Sequence, residues 1–174
     1  MRNNVRITSG IYKGREILTP GGNTHPMGDR ERLALCNMIT EYIPGATVLD
    51  AFAGSGAIGI EILSRGAKKV IFIEKNPQAA KIIRENLKNL GIDGEIEQYS
   101  VASFTTPERF DVIIADPPYD KFDITEVECL VNFLKEDGIL VLSHPDDSPD
   151  IEGVSCEKSR KYAGAHISIY RKIT

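Results

Sequence analysis

The segment running from Val48 to Ile73 restricts this chain most. Val48-Leu49 opens a buried strand, Asp50 to Gly59 is a glycine-rich turn leading into a helix over Ala57–Ser64, and Val70–Ile73 is a second, wholly apolar strand. An apolar strand that passes through a helix into another apolar strand is the pattern of a parallel sheet covered on both faces. The alternation continues downstream. Asn76-Pro77 supplies an N-cap and a proline at the first helical position, Ala79, Ile82, Ile83, Leu87 and Leu90 share one face, and Gly91 ends that helix. Further strands are expected near 95–98, 111–115 and 139–142, with a helix near 126–134. The tail shows strand patterning at 151–157 and 165–172 with no helix between them, an antiparallel hairpin at one edge.

Ahead of this core, 5–9 and 15–18 alternate apolar and polar residues like short half-exposed strands, with Gly10 and Gly14 in their connection. Residues 19–28 read as a loop. Asp29 is the expected N-cap of a helix through Ile43, with Leu35, Met38, Ile39, Tyr42 and Ile43 as its apolar stripe and Pro44-Gly45 as its stop. The organisation expected is therefore an N-terminal hairpin extension over 1–28 and an α/β domain over 29–174.

A chain of 174 residues buries roughly 70% of the surface its unfolded form exposes. No apolar run approaches the ~20 residues of a membrane-spanning helix. Met1-Arg2-Asn3-Asn4 leads directly into strand-like sequence without an apolar signal stretch. The three cysteines, Cys36, Cys129 and Cys156, are odd in number and far apart, so neither a disulfide framework nor a paired-cysteine metal site is expected. No His/Cys/Asp cluster has metal-ligand spacing, and a cytoplasmic protein with no metal and no membrane partner is the expectation. The net charge of −4 is unevenly spread: residues 1–36 carry +3, residues 157–174 carry +4, and the remainder −11. Basic ends on an acidic body form one phosphate-binding patch if they meet in space.

Two motifs carry chemistry. The first is Asp50-Ala51-Phe52-Ala53-Gly54-Ser55-Gly56-Ala57-Ile58-Gly59. Glycines between a strand and a helix let backbone approach a ligand, and the helix N-terminus adds N–H donors. Glu74 lies 20 residues beyond Gly54, where an acid would accept both ribose hydroxyls. Two cofactors fit this spacing, a nicotinamide dinucleotide and S-adenosylmethionine. Asp50 discriminates, because a carboxylate before the glycines repels a pyrophosphate but suits a ligand bearing an ammonium and a sulfonium.

The second motif is Asp116-Pro117-Pro118-Tyr119, directly after the apolar strand Val112–Ala115. Ligands of open α/β sheets sit at such C-terminal strand ends. The exocyclic amine of a nucleobase is a poor nucleophile, since its lone pair is delocalised into the ring. The Asp116 carboxylate and a proline carbonyl accepting its two N–H bonds favour a pyramidal nitrogen, and Tyr119 can stack on the base. In-line positioning of this sort is worth several powers of ten in rate, and fixed acceptors stabilise the positive charge the amine gains. Hydride transfer has no use for this group, which favours S-adenosylmethionine.

Together the two motifs resemble those of class I S-adenosylmethionine-dependent methyltransferases that modify amino nitrogens. The whole chain resembles the bacterial small-subunit (16S) ribosomal RNA guanine-N2 methyltransferases. The stretches that carry the likeness are 7–15, Thr24-His25-Pro26 with Asp29-Arg30, 48–61, Ser64-Arg65-Gly66-Ala67, Phe72–Asn76, Asp116–Tyr119 and Arg160–Gly164. The resemblance implies a Rossmann-like class I methyltransferase fold, with a mostly parallel central sheet, an antiparallel edge hairpin and the small N-terminal β-hairpin. It implies cofactor binding by Asp50, Phe52, Gly54, Ser55, Gly56, Glu74, Lys75, Ser100 and Asp116. Asp116, Pro117 and Tyr119 handle the target amine, and Arg2, Arg6, Lys13, Arg15, His25 and Arg30 contact RNA. The implied partner is ribosomal RNA or a small-subunit assembly intermediate, bound by a monomer. His25 stands where the family has arginine, and Ser100 where it has an acid or amide facing the adenine amine. Methylation of adenine N6 or cytosine N4, and a non-catalytic RNA-binding assembly factor, stay open as alternatives.

His144, in Leu142-Ser143-His144-Pro145, is read as structural, since methyl transfer to an amine needs no strong base. His166 is read as a surface residue, and the 81–88 stretch as a solvated helix face.

Overall fold

The computed structural model describes residues 4–20, 27–162 and 165–174. A small sheet pairs β1 (Asn4–Arg6) with β2 (Glu16–Leu18), antiparallel, Val5 opposite Ile17. The main sheet contains β3 (Thr47–Asp50), β4 (Lys69–Ile73), β5 (Glu95–Glu97), β6 (Phe110–Ala115), β7 (Leu134–His144), β8 (Val154–Tyr162) and β9 (Ala165–Lys172). Their spatial order is β5-β4-β3-β6-β7-β9-β8. The first five in that order are parallel, and β9 lies antiparallel between β7 and β8.

Alternate residues of the central strands supply two cores, as the two-residue strand period requires. Val48, Val70, Phe72, Val112 and Ile114 face α1 (Asp29–Met38), α2 (Ala57–Ser64) and α3 (Pro77–Leu90). Leu49, Ile71, Ile73 and Ile113 face the other way, onto α4 (Ile124–Val131) with Val101 and Phe104. Helix α2 is buried nearly all round. A helix with apolar residues on nearly every side must be covered all round, and here the N-terminal hairpin contributes, with Ile7 and Ile17 buried in the same cluster.

The chain leaves β3 through α2 towards β4 on one side, whereas β6 leads through α4 to β7 on the other. The order therefore reverses between β3 and β6, and a crevice opens at their C-terminal tips, the usual ligand position in such sheets.

Several boundaries differ from the sequence expectation. Gly28, not Asp29, is the N-cap of α1; Asp29 is the first helical residue, and its carboxylate sits 3.1 Å from the Arg32 guanidinium. That helix ends at Met38, and Thr40–Tyr42 forms a separate 3₁₀ turn. The fourth helix begins at Ile124 because Asp123 caps it through the Thr125 N–H, and it stops at Val131 because Leu134 already belongs to β7. The first strand covers only Asn4–Arg6, and the edge strand β8 starts at Val154. Helices α2 and α3 have the expected bounds, including Asn76 accepting from the N–H groups of Gln78 and Ala79.

Candidate active site

Strand β3 delivers Asp50 to the crevice, where Asp50 pairs in register with Ile114 of β6 and Phe72 of β4. The ladder persists one step, with the Ala51 N–H donating to the Ile114 carbonyl, and the glycine loop then turns into α2. Gly54 has φ +57°, and a Cβ there would meet nothing within 4 Å, so the loop leaves open space above it. Gly59 answers a packing need instead: a Cβ would come within 2.4 Å of Phe72.

Asp50 is almost fully buried. Its Oδ2 accepts from the Gly59 N–H at 3.0 Å, while Oδ1 has no partner among the described residues. Burial, only partly offset by the Gly59 hydrogen bond and reinforced by the nearby charges of Asp116 and Glu74, pushes its carboxyl up to about 7. A buried acid left one hydrogen bond short at the mouth of a glycine loop fits a cationic ligand group.

Glu74 follows β4. Its Oε2 accepts from the Gly54 N–H at 2.7 Å and its Oε1 from the Asn76 N–H at 2.9 Å. The carboxylate thus clamps the loop to the start of α3, and each oxygen keeps acceptor capacity for a hydroxyl. Ser55 is buried and Phe52 half-buried, whereas Lys75 is exposed. Ser100, past β5, bonds Ser103 through its hydroxyl at 3.0 Å.

Asp116 follows β6 directly and is half-buried, beside the buried Pro117. Burial raises its carboxyl to about 6 against the opposing hydrogen bond from Ser143. Ser143 is fully buried, one register position beyond the Ala115–Leu142 pair, and its Oγ also lies 2.5 Å from the Tyr119 hydroxyl. Either hydroxyl can donate in that bond. The ring of Tyr119 is thereby fixed beside Asp116, and burial raises its phenol above the usual value. The Pro118 carbonyl is engaged by the Lys121 N–H at 3.1 Å, which leaves the acceptor role beside Asp116 to Pro117. The Glu31 charge also acts on the Tyr119 phenol, so the first turn of α1, with the exposed Arg30, borders this end of the crevice.

Asp50, Gly54, Glu74, Asp116 and Tyr119 therefore gather at neighbouring strand tips. The basic residues are more dispersed. Arg6 is exposed but pairs with Glu16 at 3.0 Å, and Arg15 donates to the Asn89 carbonyl at the far end of α3. The connection carrying Lys13 docks on the last turn of α2: the Ile11 N–H donates to the Ser64 carbonyl and the Tyr12 N–H to Ser64 Oγ. That turn is ~12 Å of helix away from Gly56. Arg171 and Lys172 of the tail bond Glu157 and the Leu134 carbonyl, at the opposite pole of the sheet. Arg2 and His25 lie outside the described residues.

His144 is buried with both ring nitrogens engaged, Nδ1 by the Asp146 carbonyl and Nε2 by Ser168 Oγ, each at 2.7 Å. Its role is structural, and burial lowers its pKa. His166 is not a free surface residue, since it is half-buried and its ring lies 5.5 Å from that of His144.

Sequence reasoning passed over Ser143, Glu61, Arg32 and Asn86. Ser143 stood beside the histidine that drew attention, and its partner Tyr119 lies 24 residues earlier, in the 3₁₀ turn past β6. Glu61 is fully buried at 0% exposure and accepts from the Thr8 and Ser9 N–H groups and the Thr8 hydroxyl, with Arg32 and Arg65 at 3.8 and 3.6 Å.

The sheet order, the switch point and the glycine loop define a class I methyltransferase fold. The N-methyltransferase NodS from Bradyrhizobium japonicum shares it, with TM-score 0.69 over 83% of this chain and 96% of that one, at 16% identity. The Haemophilus influenzae protein HI0767 superposes over 99% of this chain and 100% of its own, with TM-score 0.79 and 29% identity. The chain belongs to the family described as Conserved hypothetical protein 95, whose pattern matches residues 5–171. It is 35% identical over 157 residues to ribosomal RNA small subunit methyltransferase D of Haemophilus influenzae, 83% of this chain and 81% of that protein. It is 32% identical over 184 residues to YlbH of Bacillus subtilis, covering 97% and 99% of the two.

Proposed function

We propose that this chain is a ribosomal RNA methyltransferase that methylates the exocyclic N2 amine of a guanine in the small-subunit RNA. The relatives named above support the ribosomal RNA substrate. The observation that carries the chemistry is the meeting of Asp50 and the Asp116–Ser143–Tyr119 chain at adjacent strand tips.

S-adenosylmethionine is the methyl donor of this fold class, and when bound it supplies an electrophilic methyl on a sulfonium. The residues present fit it: a short-bonded buried acid for its cationic end, Glu74 with free lone pairs for ribose hydroxyls, and open space over Gly54. Asp50, Gly54, Ser55, Gly56 and Glu74 would hold it, with Phe52, Lys75 and Ser100 at the margins.

The Asp116 carboxylate and the Pro117 carbonyl accept the two N–H bonds of the guanine amine, and the Tyr119 ring stacks on the base. The nitrogen lone pair, held in line by these residues, would take the methyl group that the bound sulfonium supplies, and the electron pair of the broken S–C bond would remain on sulfur. The amine gains positive charge, which Asp116 stabilises, and then loses one proton to Asp116 or solvent. A paired guanine cannot present N2 in this way, so the target is unstacked or flipped out. Arg6, Lys13, Arg15 and Arg30, with Arg2 and His25, hold the RNA phosphates.

The test is incubation of the purified protein with undermodified small ribosomal subunits and cofactor labelled in its methyl group, followed by digestion to nucleosides. Label in N2-methylguanosine is expected. Label in N6-methyladenosine or N4-methylcytidine, or none in RNA, overturns the reading.

A further inference from the structure

Outside the crevice, Asn86 of α3 ties two other segments of the chain to its helix. It is 2% exposed. Its Oδ1 accepts from the Leu18 N–H at 2.8 Å, and its Nδ2 donates both to the Leu18 carbonyl at 2.9 Å and to the Ser55 carbonyl at 3.0 Å. Both amide protons and the carbonyl oxygen are thus spent on bridging. Leu18 ends β2 of the N-terminal hairpin, and Ser55 sits in the glycine loop. One amide therefore grips the hairpin at both polar atoms of a residue and the cofactor loop at a third point.

This arrangement exceeds what helix packing needs. An apolar residue at this position would have joined α3 to the core, as Ile83 and Leu87 do. The Ser55 carbonyl shares a peptide plane with the Gly56 N–H, which donates to the Ala53 carbonyl at 2.8 Å. Holding that carbonyl fixes the plane that sets the loop's turn into α2. On its other side, the connection between β1 and β2 is held to α2 by Glu61 and Ser64. The hairpin is thus tied down at two places, to α2 at its connection and to Asn86 at its Leu18 end.

We propose that Asn86 is a positioning residue that couples the cofactor loop to the RNA-holding hairpin, so that cofactor and RNA strengthen each other's binding. The proposal rests on the reading of the crevice as a cofactor site and of the hairpin as an RNA surface. Coupling of this kind is reciprocal, so one measured factor describes it from either side.

The test uses the full chain, with S-adenosylhomocysteine as the cofactor probe, and reads amide exchange at Leu18 by nuclear magnetic resonance. Asn86→Asp keeps an oxygen to accept from the Leu18 N–H but loses both donors. In the wild type, S-adenosylhomocysteine should slow exchange at Leu18 by roughly threefold or more; in Asn86→Asp, Leu18 stays protected but no longer responds. Ser64→Ala loosens the other hairpin anchor without touching the loop, and should retain the response. In parallel, RNA should tighten S-adenosylhomocysteine binding several-fold in the wild type and leave it unchanged in Asn86→Asp. A Leu18 response that survives in Asn86→Asp, or is lacking in the wild type with the probe bound, overturns the coupling. Loss of the response in Ser64→Ala as well reduces Asn86 to general stiffening and also overturns it. If the probe binds and Leu18 responds but RNA never binds, the RNA reading has failed while the mechanical link stands. If the probe does not bind at all, the cofactor reading falls and takes the coupling with it.

Discussion

Asp50 and Glu61 are both buried carboxylates at α2, Asp50 facing its first turn from β3 and Glu61 standing in its second. Their surroundings are opposite. Glu61 is saturated: three protein donors from Thr8 and Ser9 and two guanidinium groups surround it. Among the described residues Asp50 receives one hydrogen bond, is held beside two other acids, and keeps an oxygen with no partner. A buried charge is tolerated when its partners are built in, and this marks Glu61 as an anchor for the hairpin. An acid left short at a crevice awaits its partner from outside. The distinction lies in completeness, not in burial.

The largest effect that tests this contrast is on turnover. Asp116→Asn should lower kcat about a thousandfold while changing S-adenosylhomocysteine affinity by only ~3-fold; equal losses in both would make Asp116 a binding group rather than a participant in transfer. Next comes Glu61→Ala, which strands the buried Arg32 and should cost about 3–5 kcal/mol in urea unfolding. A loss under about 1 kcal/mol would show that Glu61 is not what anchors the hairpin.

Asp50→Asn should act in two directions. Calorimetry should show S-adenosylhomocysteine binding weakened about tenfold, for the loss of a charge-assisted contact. The protein without cofactor should gain stability at pH 8. The sign follows from the raised pKa: between about 4 and 7 the folded Asp50 keeps a proton that the unfolded one has lost, so its contribution is full below 4 and is lost as pH rises through 7. The wild type should therefore lose up to about 1.4 kcal/mol per pH unit more than Asp50→Asn across that window. Parallel pH profiles for the two proteins would contradict the burial assigned to Asp50.

Smallest is Ser143→Ala. Removing its hydrogen bond takes away what holds the Asp116 carboxyl down, so the acid limb of the kcat profile should move above about 6, and kcat at pH 8 should fall only by about 3–10-fold. An unmoved limb would sever Ser143 from Asp116.

What the sequence disclosed and what it concealed follow the same divide. Helices α2 and α3 were legible to the residue because their signals are local: glycine turn, Asn76 cap, Pro77, Gly91. Asp50, Glu74, Asp116 and Tyr119 were legible because each sits at a strand tip next to a motif. Asp29 misled because an acid in a first turn and an N-cap look alike in one dimension; its carboxylate turned to Arg32, two turns of logic that only the fold supplies. Ser143, Asn86, Glu61 and Arg32 bind partners 24 to 68 residues away or more than one element distant, and nothing in their immediate neighbours announces that. The charges of Arg6 and Arg15 are plain in the sequence, but the bonds each makes to Gly14, Glu16 and Asn89 depend on the fold.

The crystal structure of the complex with S-adenosylhomocysteine tests the central claim most directly. The account predicts the ligand in the crevice between Gly54 and Asp116, its ribose hydroxyls on Glu74 and its ammonium on the Asp50 side, with the sulfur facing the space between Asp116 and Tyr119. A ligand bound elsewhere, or one whose sulfur points away from Tyr119, would contradict it.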